Sequence, residues 1–109
     1  MAADEGASPY RLTFNHWLRD RLRFFLRRSV LLGTRDRFAR SLVEIETAIR
    51  TFPTTWGDPI RHRGAMRMTE YRKVYDRMVV YYAVHDVEPI VWLTRIDPLR
   101  NSSFWAGEG

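Results

Sequence analysis

The sequence contains no cysteine, and only one of its 18 basic residues, Lys73, is a lysine. Without cysteine the chain has no disulfide bonds, no thiolate metal sites and no cysteine nucleophile. Its 3 histidines are scattered, so we expect neither a metal nor another cofactor. No apolar run approaches the roughly 18 residues of a membrane span, and the start, MAADEGASP, does not resemble a signal peptide. We therefore expect a cytoplasmic protein without membrane association.

Arginine accounts for nearly all of the basic residues. The other 17 basic residues are arginines, and the formal net charge is +5 over 109 residues, enough for one small domain. Arginine presents a planar fork of donors that matches phosphate and carboxylate groups, so the bias suits a nucleic acid or an acidic protein partner. A GC-rich genome produces the same bias, so the arginines are informative only where they cluster on a surface.

Two amphipathic helices are predicted in the first half of the chain. Asn15 is a plausible N-cap, Gly33 ends the first helix, and Pro53 closes the second. The short break at Gly33 and Thr34 predicts an antiparallel helical hairpin. The apolar faces recur at steps of three and four residues: Leu18, Leu22, Phe25, Ser29 and Leu32, then Phe38, Leu42, Ile45, Ile49 and Phe52.

The remaining segments favour strands. Residues 10–14 alternate before the first helix, and residues 54–64 are predicted to be a turn followed by a basic connector. Asp76 and Arg77 are expected to form a tight turn that links the strands predicted at 66–75 and 78–85. The later strands are predicted at 66–75, 78–85 and 89–96, with 78–84 central because it is almost entirely apolar.

The resulting fold class is α+β, in the order β-α-α-β-β-β, with the helical hairpin packed on a small, mainly antiparallel sheet. We expect one domain at 9–100 between a disordered tail at 1–8 and a C-terminal tail at 101–109.

A group of basic residues around the first of the late strands is the candidate surface for a nucleic acid or a partner. In an extended strand Arg67 and Lys73 point one way and Arg72 the other, so the group cannot line a single groove. A solvated mixed face and a phosphate-binding cleft both remain open. The group comprises Arg61, Arg63, Arg67, Arg72, Lys73 and Arg77.

Two side chains within the basic group are candidates for proton transfer. His62 stands between Arg61 and Arg63 and is a candidate general base, although an exposed linker histidine is the simpler interpretation. Glu70 is another candidate base, with an ordinary surface carboxylate as the alternative. The tyrosines of the strands are expected to pack within the sheet.

Four segments in this order resemble the RelE/ParE toxin superfamily of bacterial toxin–antitoxin systems. They are YRLTF before the first helix, AIRTFPTTWGDPI at the end of the second, and MVVYYAV followed by PIVWLTRI in the last strands. The resemblance covers about residues 9–100. It implies a small basic protein that is co-expressed with an acidic antitoxin. RelE-branch members cleave mRNA on the ribosome, whereas ParE-branch members inhibit DNA gyrase.

The resemblance also implies catalytic positions, which this sequence matches in part. Arg72 lies where the RelE branch has a basic strand residue, Arg77 is a possible substitute for an arginine of the central strand, and Arg100 can stand for the late arginine. Phe104 falls near the late tyrosine or histidine and cannot transfer a proton. These departures count against a RelE-type nuclease. We expect either a toxin-like protein acting on RNA or gyrase, or a non-toxic RNA- or protein-binding module.

Overall fold

The computed structural model describes residues 9–99, so the predicted tails at 1–8 and 101–109, together with Arg100 and Phe104, lie outside the described residues. A 3-10 turn at Gly64–Met66 lies between the strands at Asp58–Arg63 and Met68–Tyr75. The elements are β1 (Arg11–Thr13), α1 (His16–Leu32), α2 (Arg35–Thr51), the short α3 (Pro53–Trp56), β2 (Asp58–Arg63), β3 (Met68–Tyr75), β4 (Met78–His85) and β5 (Ile90–Pro98).

The five strands form one sheet in the order β1-β5-β4-β3-β2. β1 runs parallel to β5, and the other neighbours are antiparallel. The predicted α+β class and the predicted central strand are confirmed, since β4 is the third of the five strands. β1 pairs with only Ile90 to Trp92 of β5, so the rest of β5 has no strand on that side within residues 9–99.

Local sequence signals set the ends of the helical hairpin. The Asn15 side chain accepts a hydrogen bond from the Leu18 amide at 2.9 Å, which satisfies one of the free donors at the start of α1. Gly33 ends α1 with a φ of 75°, a left-handed conformation that costs glycine little. The Thr34 side chain does not cap α2: its hydroxyl instead donates to the Ser29 carbonyl at 3.5 Å.

The core lies between the helices and one face of the sheet. Leu18 and Phe25 of α1 meet Phe38, Ile45 and Ile49 of α2, as the two apolar stripes predict. Successive strand residues point to opposite faces, so alternate residues of β4 complete this core. They are Met78, Val80, Tyr82 and Val84.

The hairpin between β3 and β4 turns on two residues without glycine. Asp76 and Arg77 have φ values of 46° and 65°, so both are left-handed, as a two-residue type I′ turn requires. The Asp76 carboxylate accepts hydrogen bonds from Arg37 at 2.6 Å and from Ser41 on α2. These contacts tie the strained turn to the helical layer.

β2 corrects the prediction for residues 54–64. The sequence predicted a turn and a connector, but Asp58–Arg63 is an edge strand paired with β3. All six residues are exposed, so no apolar alternation marks the strand. Pro59 and a register shift around Ile60 interrupt it further. Proline, a bulge and charged residues are typical of a protected sheet edge.

Candidate functional site

The sheet face turned away from α1 and α2, which we call the open face, is built from the alternate residues of the strands. Tyr81 and Ala83 of β4 lie at its centre, since Val80, Tyr82 and Val84 point into the core. Register places Arg72 of β3 and Arg95 of β5 on either side of Tyr81. Glu70 and Trp92 flank Ala83 in the same way.

Glu70 links β3 to the edge strand. Arg61 Nε lies 3.3 Å from one of its carboxylate oxygens, and Arg63 Nε lies 2.5 Å from the other. One carboxylate thus fixes two guanidinium groups and leaves one net positive charge. A guanidinium has five N–H donors, so each arginine retains donors that point to solvent.

A second shared carboxylate lies on the opposite side of the open face. Asp97 pairs with Arg95 on its own strand and with Arg21 of α1 at 3.2 Å. The Arg95 guanidinium also lies over the Tyr81 ring, 5.6 Å from its centre. Arg72 is exposed, with Asp58 as its cross-strand neighbour. Arg61, Arg63 and Arg95 are therefore held in place by two carboxylates, Glu70 and Asp97.

Two adjoining hollows lie between these charges. The first, of about 240 Å³, includes Glu70, Tyr81, Thr94 and Arg95 in its lining. The second, of about 460 Å³, has a mostly apolar floor with Arg63 and Glu70 at its border. Its apolar side chains are Met66, Met68, Ala83 and Trp92. An indole ring beside guanidinium groups offers a stacking surface for a base next to donors for phosphate.

The structure separates the predicted basic group. Arg61, Arg63 and Arg72 share the open face. Lys73 lies on the helix-covered face, where its ammonium nitrogen is 5.5 Å from the centre of the Trp56 ring. Arg67 follows the 3-10 turn, and Arg77 lies in the β3–β4 turn.

His62 also lies apart from the open face. It pairs with Thr69 across the two strands. Its Nε2 is 2.9 Å from one carboxylate oxygen of Asp86, and Thr69 donates to the other oxygen at 3.2 Å. The hydrogen bond from His62 is the main cause that lowers the pKa of Asp86. The histidine is thus engaged on the face opposite Arg61 and Arg63.

Sequence reasoning missed Arg95 and Trp92. Regular alternation along WLTRI would place Arg95 on the same face as Leu93, toward the core. A register shift opposite Tyr81 and Tyr82 inserts Thr94, so that Leu93 and Ile96 both point inward and Arg95 points outward. No residue in this segment marks the bulge, so the sequence alone offered no signal for it.

No three histidine or acidic side chains within residues 9–99 come together as a metal ion requires. In the same range, neither helix of the hairpin combines the length and the apolar character needed to cross a bilayer.

Comparison with known proteins gives one informative match. No family model and no curated protein matches this sequence. Among solved structures, the chain is similar to one in the archaeal RelE-RelB complex from Pyrococcus horikoshii OT3, with a TM-score of 0.61 and 16% identity. The match covers 86% of this chain and 99% of that chain. At this identity the likeness is one of fold, so we conclude that the chain has a RelE-like fold.

Proposed function

We propose that this protein is a toxin-like component of a toxin–antitoxin system that acts in the cytoplasm by binding RNA on the open face. The observation that carries the proposal is the grouping of Arg61, Arg63, Arg72 and Arg95 on the open face, where Arg63 and Arg95 line the two hollows. The RelE-like fold and the expected acidic antitoxin are consistent with it.

The geometry suits a single strand better than a duplex. Guanidinium groups along β2, β3 and β5 provide donors for successive phosphates, while Trp92 offers a ring for an unpaired base. Bases in a duplex are already stacked on their neighbours and do not expose a face. The ligand class that fits the surface is therefore single-stranded RNA, such as an mRNA segment.

The proposal is for binding and not for cleavage of the RelE type. That chemistry needs a base for the 2′-hydroxyl and an acid for the leaving oxygen. Glu70 is tied to two arginines and His62 is engaged elsewhere. The resemblance to the RelE branch implies a late proton carrier, and Phe104 falls near that position. Incubation of the protein with a labelled transcript tests this point, and specific cuts by the wild type would contradict it.

The central experiment compares neighbouring residues on opposite faces. The double variant Arg72→Ala/Arg95→Ala should weaken binding of a labelled single-stranded RNA by about tenfold or more, because two phosphate contacts are lost. Lys73→Ala is the matched control and should bind as the wild type does, since Lys73 lies on the helix-covered face. Fluorescence anisotropy measures the affinity, and circular dichroism checks the fold.

The same variants separate the alternative functions. Induction of the wild type should arrest growth, and induction of Arg72→Ala/Arg95→Ala should not. Unchanged growth with the wild type would contradict the toxin-like function and leave a non-toxic binding module. Growth arrest without RNA binding, accompanied by loss of DNA supercoiling activity, would identify gyrase as the target.

A further inference from the structure

α1 carries an apolar row that faces solvent. Trp17, Phe24 and Leu31 recur every seven residues, and 56%, 50% and 86% of their surfaces are exposed. They lie to one side of Leu18 and Phe25, which pack into the core. We call Trp17, Phe24 and Leu31 the α1 stripe. Single exposed apolar side chains are ordinary, but a continuous row of large ones marks an interaction surface.

The spacing of the α1 stripe fits one helix. A period of seven residues is close to two helical turns, and the row from Trp17 to Leu31 extends about 21 Å along the axis. Seven-residue periods are those of left-handed coiled coils, in which each large side chain inserts between residues of the facing helix. A single row suits a single helix packed along α1.

The rows beside the α1 stripe are basic. Arg21 and Arg28 follow the first two stripe residues at four positions, and Asp20 and Arg27 follow them at three. The Arg21 guanidinium already lies 5.5 Å from the centre of the Trp17 ring. A helix packed on the stripe would therefore have its own flanking residues next to Arg27, Arg28 and Asp20, and next to Arg21, which also pairs with Asp97. The excess of positive charge favours acidic side chains on that helix.

We propose that the α1 stripe is the docking site for an acidic amphipathic helix of a partner protein. The helix has apolar residues at heptad spacing and glutamate or aspartate residues on both flanks. The inference rests on the proposed function in that the expected acidic antitoxin is such a partner. The site lies in the helical layer of the molecule and meets the open face at Arg21, which pairs with Asp97.

Two other occupants fit less well. A second copy of this chain would bring Arg27 and Arg28 of both copies together, and like charges beside a helical interface are repulsive. A membrane-surface helix buries a broad apolar face, whereas the α1 stripe is one residue wide between charged rows. The carboxylate of Asp20 in one of those rows further disfavours an anionic membrane.

The test uses the full chain and a synthetic helix of about four heptads, with leucines on one face and glutamates on both flanks. A twin with lysines in place of the glutamates controls for charge. The acidic helix should bind and the basic twin should not. The variant Phe24→Ser/Leu31→Ser should weaken binding by about tenfold or more. Val43→Ser, which alters an exposed apolar residue of α2, should bind as the wild type does.

Three results would overturn the inference. They are failure of the acidic helix to bind, equal binding to Phe24→Ser/Leu31→Ser, and a wild-type homodimer or vesicle complex that this variant abolishes. Binding of single-stranded RNA should be unchanged in Phe24→Ser/Leu31→Ser. If the wild type does not bind RNA, the result counts against the proposed function alone. If the acidic helix does not bind the wild type, the result counts against the docking site alone.

Discussion

The hydroxyl group of Tyr82 joins the centre of the sheet to the segment that leads into β2. It accepts a hydrogen bond from the Gly57 amide at 2.9 Å and donates one to the Pro53 carbonyl. The Tyr82 ring stacks on Tyr71 with centres 5.2 Å apart, and burial raises the pKa of the Tyr82 hydroxyl. One side chain of the core thus fixes the start of the strand that carries Arg61 and Arg63.

Replacing Tyr82 by phenylalanine should lower the free energy of unfolding by about 1–3 kcal/mol, because a buried amide and a buried carbonyl lose their partner. Urea denaturation measures the change. Tyr81→Phe removes the same atom from the half-buried side of the same strand and should change stability by no more than about 0.5 kcal/mol. Equal effects of the two substitutions would show that the Tyr82 hydrogen bonds contribute little.

Gly57 provides a second residue-scale prediction. A Cβ atom at this position would lie 2.7 Å from the Tyr82 hydroxyl oxygen, closer than real contacts allow. Gly57→Ala should therefore destabilise the wild type by about 1–3 kcal/mol, and by less in the Tyr82→Phe background, where that oxygen is absent. A double-mutant cycle by urea denaturation measures the coupling, and strict additivity would contradict the proposed contact.

The helices and strands differ in how clearly the sequence predicts them. The helical hairpin and β4 were predictable because their apolar residues recur with a clear period and their ends carry Asn15, Gly33 and Pro53. β2 was not, because an edge strand exposed on both faces has no apolar period. The outward position of Arg95 was hidden for a different reason, since the bulge in β5 depends on pairing with β4 and not on a local residue preference.

The β3–β4 turn should make stability depend on pH. Burial raises the pKa of Asp76, but hydrogen bonds from Arg37 and Ser41 outweigh it, and the pKa lies below its usual value of 3.8. A carboxyl whose pKa is lower in the folded state stabilises the fold above its unfolded pKa. This stabilisation is lost as the pH falls through the folded pKa.

Asp76→Asn should therefore reduce the free energy of unfolding at neutral pH by about 1–2 kcal/mol, and the difference from the wild type should shrink below about pH 4. Asparagine tolerates the left-handed backbone of the turn, so the substitution tests the charge and not the conformation. Asp36→Asn, at an exposed position of α2, is the control and should have little effect at either pH. A constant difference across the pH range would contradict the ionic role of Asp76.

At the scale of the whole molecule, the two proposed surfaces belong to different layers: the open face to the sheet, and the α1 stripe to the helical hairpin. The fold class followed from the order of apolar periods and from the resemblance to the RelE/ParE superfamily. The composition of the open face did not, since it combines residues of β2, β3, β4 and β5 that only the register brings together.

Binding of RNA to the open face should weaken steeply with salt, because phosphate contacts release counterions. The logarithm of the association constant should fall linearly with the logarithm of salt concentration. In Arg72→Ala/Arg95→Ala the slope should be smaller in magnitude by roughly 1 to 1.5, which corresponds to two lost contacts on a single strand. Anisotropy titrations at several salt concentrations measure the slope. Lys73→Ala is the control and should have the same slope as the wild type. An unchanged slope in the double arginine variant would remove those residues from the interface.

The pairing of β1 with β5 has a consequence for the order of events during synthesis. The sheet cannot be completed until the last strand has left the ribosome, because Ile90 to Trp92 must join a segment made at the start of the chain. α1 emerges long before Trp92 and Arg95, so a partner that binds the proposed docking helix during translation would bind before the proposed RNA surface is complete.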